Sequence, residues 1–188
     1  MKEKAKTLGT AIKRGALHML GGLRQKWYYL AVIALVVGLD QLTKWLAVKY
    51  LSPLDTLPLW KNVLHLTYLE NRGAAFGMLA DRRAVFMVVS TVGILAFLVY
   101  LFAKREKNVL FDLGIAFVIG GGIGNMIDRI ALGYVVDFID FTLIDFAIFN
   151  GADSFVCVGA AMMLLSLLID VIREMRSKKT DPPEEETP

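Results

Sequence analysis

The 188-residue chain has one cysteine, Cys157, and two histidines, His18 and His65. A single cysteine excludes an intramolecular disulfide, and nothing has the spacing of a metal site. His18 sits in a basic N-terminal stretch and His65 alone in a later connection, so no Ser-His-Asp triad assembles. There is no H-E-x-x-H pair. A Ser–Lys pair from Lys44 and Ser154 is left open, with nothing to favour it. Cys157 has no histidine near it in sequence and reads as a buried packing residue. The glycine-rich stretch 120–129, GGGIGNMIDR, lacks both a preceding strand and a G-K-[ST] ending, which argues against a phosphate loop. The net charge of +3 is small and unevenly laid out, so it is no sign of a nucleic-acid partner. One further absence is local. Residues 137–154 hold Asp137, Asp140, Asp145 and Asp153 without one Lys, Arg or His. Carboxylates in apolar surroundings without cations are costly, because desolvation penalises the charged form.

What the chain has is hydrocarbon. Its apolar fraction is 56% and its mean hydropathy +0.54, above an ordinary soluble domain. A bilayer core needs about 20 mostly apolar residues in a helix. Four stretches qualify: 27–46, carrying Asp40 and Lys44 near its far end; 84–103, uncharged; 108–127, with Asp112 alone; and 154–169 with its flanks. The first is too long for a signal-peptide core and has no A-x-A-like cleavage site, so it reads as a retained helix. The expected fold is an all-α membrane protein, four transmembrane helices with a small extracytoplasmic β-sheet or cradle. The division is a basic cytoplasmic segment 1–26, a four-span unit 27–173 and a disordered Pro- and Glu-rich cytoplasmic tail 174–188.

Lys and Arg set the orientation. Fourteen of the 21 lie before the first span, between the second and third, or after the fourth. That bias puts both termini in the cytoplasm and the other two connections outside. Asn62–Glu70 and the stretch YVVDFIDFTLIDF are β-branched and aromatic with rough alternation, so each reads as a short strand. In the second, Asp137 and Phe138 point to opposite faces.

Ionisable groups inside a membrane are functional candidates, with structural pairing as the plain alternative. Asp40 and Lys44 are four apart, acid first, the favourable order for an ion pair on one helix, and must face the bundle interior. Asn125 and Asp128 share a helix face beside Arg129; either they serve the site or Asp128 pairs with Arg129 or another cation. Asp137 follows the third span and Asp153 opens the fourth, so a folded-back chain brings them together. Two close carboxylates in low dielectric share a proton, giving a neutral acid beside a carboxylate base, the pair that activates water against an amide. Asp140 and Asp145 have no motif partner and are expected to face solvent or headgroups.

Five motifs carry a resemblance. DQLTK (40–44), NRGAAF (71–76), GNMIDR (124–129), VVDF (135–138) and FNGAD (149–153) resemble, in order, those of the lipoprotein signal peptidases, type II signal peptidases of bacterial membranes. The resemblance implies an intramembrane aspartyl endopeptidase with Asp137 and Asp153 as its dyad; it alone ranks Asp128 below Asp137. It implies supporting or substrate-binding roles for Asp40, Lys44, Asn71, Gly73, Ala75, Phe76, Asn125, Asp128, Arg129, Val135 and Asn150. Its substrate would be a prolipoprotein whose cysteine carries diacylglycerol, cut just before that cysteine at the outer face of the cytoplasmic (inner) membrane. The expected partners are that substrate and membrane lipids. No metal, cofactor or nucleic acid is expected, and the chain is expected to be a monomer. Two residues depart from the pattern: Ala147 stands where Pro is frequent, and Gly151 where a larger residue is usual. A prepilin- or presenilin-type protease would want G-x-G-D, which is missing. A small transporter would explain the buried charges but not FNGAD at a helix start.

Overall fold

A computed structural model describes residues 26–73, 83–103 and 108–180. Its helices long and apolar enough to span a membrane are α1 (Lys26–Leu51), α2 (Arg83–Ala103), α3 (Val109–Ala131) and α4 (Gly151–Thr180). These are the four expected spans. The last turn of α1, Ala47–Leu51, is π-helical. Inside the bundle lie Tyr29, Ile33, Leu101, Phe102, Ile115 and Ile119, while leucines and valines cover the outside of α2 and α4. Such an inverted exterior fits a hydrocarbon solvent.

Helices α3 and α4 touch along their backbones. A Cβ on Gly114 would stand 2.6 Å from the Gly159 carbonyl, and one on Gly159 2.5 Å from the Gly114 carbonyl. Small residues facing each other let two backbones touch, and that contact draws apolar helices together where water supplies no driving force.

At one end of the bundle lies a three-stranded antiparallel sheet of order β1-β2-β3. Its strands are β1 (Thr56–Trp60), β2 (Leu64–Asn71) and β3 (Val135–Asp140). β2 and β3 fall where the alternating residues put them. β1 was not expected: TLPLW has no clean alternation and contains Pro58. Pro58 lacks a ladder donor, which an edge strand tolerates, and the register slips between Pro58 and Trp60. On the other side, Asn71 pairs with Val135 and Leu69 with Asp137, so β2 delivers Asn71 beside the catalytic-candidate strand.

Three expectations need adjustment. Helix α4 continues through Thr180, so residues 174–180 of the stretch read as a disordered tail are helical; 181–188 lie outside the described residues. Lys26, assigned to the basic cytoplasmic segment, is buried and bonded at 3.2 Å to Asp112, and its Nζ also donates to the Leu101 carbonyl at 2.9 Å. Asp112 was the lone charge of its span; its partner comes from another helix, which no local pattern reveals. Cys157 is exposed rather than buried, because it lines an open cavity instead of a helix contact.

Candidate active site

Two groups of acids meet at the sheet end of the bundle. The first is built on α1. Asp40 is fully buried, and Lys44 lies 2.9 Å from its carboxylate and 3.0 Å from that of Asp128. Asp128 therefore pairs with a cation, but with Lys44 rather than its neighbour Arg129. Gln41 adds a donor to Asp128 at 2.9 Å, and the Val136 amide adds another at 3.1 Å. The other oxygen of Asp40 accepts the Ala152 amide at 2.9 Å and so caps α4 from a different helix. Gly124 leaves the space for this arrangement, since a Cβ there would collide with the Asp40 carboxylate. Every acid here is matched, and α1, α3, β3 and α4 are tied at one point.

The second group hangs on amides. Asp137 is 1% exposed; its oxygens accept from Asn71 Nδ2 at 2.8 Å and Asn150 Nδ2 at 2.7 Å. Asn150 caps α4. Its side chain accepts the Asp153 amide at 3.0 Å while Asp153 accepts the Asn150 amide at 3.2 Å, the reciprocal pattern of a capping box. Asp153 thus sits in the first turn of a long helix, beside the partial positive charge of its N-terminus. Asn125 donates to Asp153 at 2.8 Å and accepts from Lys44 at 2.8 Å and Asn150 at 3.0 Å. A single residue, Asn150, therefore bonds to both Asp137 and Asp153.

Burial pushes the Asp137 carboxyl from its ordinary 3.8 up to about 7. The bonds from Asn71 and Asn150 and the charge of Lys44 pull it down, and the charge of Asp153 pushes it further up. Desolvation wins. A carboxyl of this kind, next to a second carboxylate and with no cation bonded to it among the described residues, holds a proton near neutrality.

Both carboxylates open on one cavity of about 520 Å³. Asn71, Gly73, Asn125, Arg129 and Val135 line it with them, and Phe146, Ala147, Ile148, Phe149 and Cys157 form an apolar wall. Phe149 braces that wall, with Phe141 stacked on it at 5.9 Å and Phe146 edge-on at 5.8 Å. Arg129 is held against the Phe86 ring at 5.2 Å and within electrostatic reach of Asp153, Asp137 and Asp128. Gly73 donates its amide to Asn71 Oδ1 at 2.9 Å. With Asn71 bonded both to Asp137 and to Gly73, its first task is to hold the carboxyl.

The structure thus gathers Asp137, Asp153, Asn71, Gly73, Asn125, Arg129 and Val135 at one cavity, with Asp40, Lys44, Asp128 and Asn150 behind it. Ala75 and Phe76 lie outside the described residues. Asp145 is exposed, but Asp140 is half-buried and accepts Thr67 Oγ1 at 2.8 Å, so it is a sheet contact rather than a bare surface acid. Gln41 was missed although it stands inside DQLTK; a polar residue beside an intramembrane acid was the available signal. Gly151 has room for a side chain, the nearest atom to a Cβ there being Thr43 Oγ1 at 3.4 Å, so this departure does not reshape the backbone.

A model of the signal peptidase (SPase) II family matches residues 32–169. Curated relatives named lipoprotein signal peptidase include one from Caldanaerobacter subterraneus subsp. tengcongensis, 51% identical over 71% of this chain and 91% of its own length. Another, from Brevibacillus brevis, is 44% identical over 77% of this chain and 96% of its length. Two solved structures described as bacterial membrane enzymes share the fold. One has a TM-score of 0.68 at 29% identity, covering 87% of this chain and 96% of its own. The other has a TM-score of 0.68 at 32% identity, covering 76% and 94%.

Proposed function

The chain belongs to the signal peptidase II family, multi-pass membrane peptidases that process lipoproteins, and we propose that it cuts by an aspartyl mechanism using Asp137 and Asp153. The observation that carries this reading is the convergence of two carboxylates on one cavity, held by amides instead of cations. Asp153, at a helix N-terminus and open to the cavity, is the base. Asp137, buried and lifted to about 7, carries the proton. Asp153 takes a proton from water as the water oxygen attacks the scissile carbonyl carbon. Asp137 gives its proton to the carbonyl oxygen, forming a neutral tetrahedral diol. Asp153 then passes its proton to the amide nitrogen while Asp137 recovers one from a hydroxyl. The carbon–nitrogen bond breaks and the starting protonation returns.

The substrate in this reading is a prolipoprotein bearing a diacylglyceryl cysteine, cut just before that cysteine. The apolar wall of Phe146, Ile148 and Phe149 gives such a chain hydrocarbon surface beside the acids. Arg129, fixed on Phe86 at the cavity edge, is placed to hold a peptide carbonyl. NRGAAF supplies small residues for close backbone approach. Gly73 within it lines the cavity; the contribution of Ala75 and Phe76 rests on the resemblance alone. The enzyme in this reading is a monomer of the cytoplasmic membrane; its orientation, with both termini inside and the sheet outside, is supported by the Lys and Arg distribution.

Cleavage of a diacylglyceryl-modified test peptide by purified enzyme tests this reading. Turnover should survive chelators and serine-directed reagents, and peptide-like inhibitors with a hydroxyl at the scissile position should compete. If a chelator stopped the enzyme and added metal restored it, the aspartates would be ligands and the mechanism would fall.

A further inference from the structure

Strand β3 has two faces and two cavities. Asp137 points into the catalytic one. Phe138, its neighbour, lines a second groove of about 400 Å³ between the end of α1 and the sheet. That volume lies within the range of about 300–1,000 Å³ typical of small-molecule sites. Its walls are hydrocarbon: Leu46, Leu51, Leu57, Leu66 and Phe138, with the Tyr50 ring at the side. The hydroxyl of Thr43, which also lines it, is already spent on the Asp40 carbonyl at 2.9 Å. Apart from that oxygen and the Tyr50 hydroxyl, no side chain lining the groove carries a polar atom.

The surroundings say which apolar ligand fits. The groove sits where α1 leaves the membrane. Tyr50 lines it, and Trp45 shares the Lys49 ammonium with it; the two rings are 58% and 53% exposed, as in the aromatic belt of a headgroup region. Lys49 lies over the Trp45 and Tyr50 rings at 4.8 and 5.0 Å, so its ammonium is held beside the groove. Among the described residues Lys49 forms no ion pair. A hydrocarbon slot with an unneutralised cation fixed beside it complements one molecule of the bilayer, an anionic glycerophospholipid.

We propose that this groove binds an acyl chain of an anionic phospholipid from the sheet-side leaflet, with the phosphate on Lys49. The consequence reaches the catalytic strand. Leu51, Val136, Leu66 and Phe138 pack in one cluster, and Val136 adjoins Asp137. A chain in the groove fills space behind the strand that carries the acid.

Photocrosslinking of the full-length enzyme in vesicles of equal phosphatidylglycerol and phosphatidylcholine tests the site. A benzophenone amino acid replaces Leu57, and mass spectrometry identifies the adduct; Leu54, which also lines the groove, gives a second probe position. Val89, exposed on α2, supplies the bulk-lipid reference. Both groove positions should favour phosphatidylglycerol about fivefold over the ratio at Val89, the preference one basic residue confers. Lys49→Gln should return that ratio to the reference while peptide cleavage continues. Equal ratios at the groove and at Val89, a preference that Lys49→Gln leaves unchanged, or crosslinks to a second copy of the chain would each overturn the proposal.

Discussion

Asp128 and Asp137 are both buried aspartates nine residues apart, yet their environments are opposite. Asp128 lies 3.0 Å from the Lys44 ammonium and accepts further bonds from Gln41 and the Val136 amide. Among the described residues Asp137 accepts only from the side-chain amides of Asn71 and Asn150, and it faces a cavity. The same contrast separates Asp40 from Asp153. Burial alone therefore does not mark a reacting carboxylate. The acid with a cation is a joint in the framework; the acid held by amides can still trade a proton.

The largest break in this comparison comes from the amide-held acids themselves. Asp137→Asn and Asp153→Asn should each lower cleavage by roughly 10⁴-fold or more, with the double variant little worse, since the two act as a unit. Insertion and thermal unfolding in detergent should be near wild type. Appreciable turnover in either folded variant would show that the wrong pair has been assigned.

Lys44→Met attacks the other side. It leaves Asp40 and Asp128 buried without their cation and should destabilise the fold by roughly 3–5 kcal/mol, read from unfolding in detergent. Turnover per folded molecule should fall far less than in the dyad variants. A stable variant would mean that Gln41 and the backbone amides satisfy these acids without Lys44.

The pH profile sharpens the difference. Activity needs one carboxyl ionised and the other protonated, so the rate should be bell-shaped, its limbs belonging to the pair. The upper limb should lie near 7, set by the raised Asp137 carboxyl as one half of the coupled pair. Asn71→Ala removes a donor that favours the ionised form, so the upper limb should move to higher pH. A limb that stayed put would detach Asn71 from Asp137. Stability carries the matching sign. The folded carboxyl binds its proton more tightly than an unfolded aspartate does, so its contribution is present below 3.8 and is lost as pH rises through about 7.

The smallest effects belong to the acids at and after the end of β3. Asp140→Asn keeps an acceptor for Thr67 and should cost at most about 1 kcal/mol, with turnover nearly unchanged. Asp145→Asn should be neutral by the same assay. Dyad-like loss in either, in folded protein, would place the chemistry beyond Asp137 in the chain.

Much of this protein is determined by sequence alone. Uncharged runs of bilayer length dictate helices, because a backbone in hydrocarbon must bond to itself. The alternation in VVDFID sends Asp137 and Phe138 to opposite faces, and they line different cavities. Asn150 three residues before Asp153 makes a capping box readable from spacing. The tertiary structure decided which acids have cations. Lys44 reaches Asp128 on another helix, and Lys26 reaches Asp112. It also decided that β1 is a strand, since TLPLW becomes one only through its pairing with β2. The physical reason is the same throughout. Helix, strand and cap depend on residues within a few positions of each other, whereas the charge state of a buried acid depends on what the fold brings within a few ångströms, from any distance along the chain.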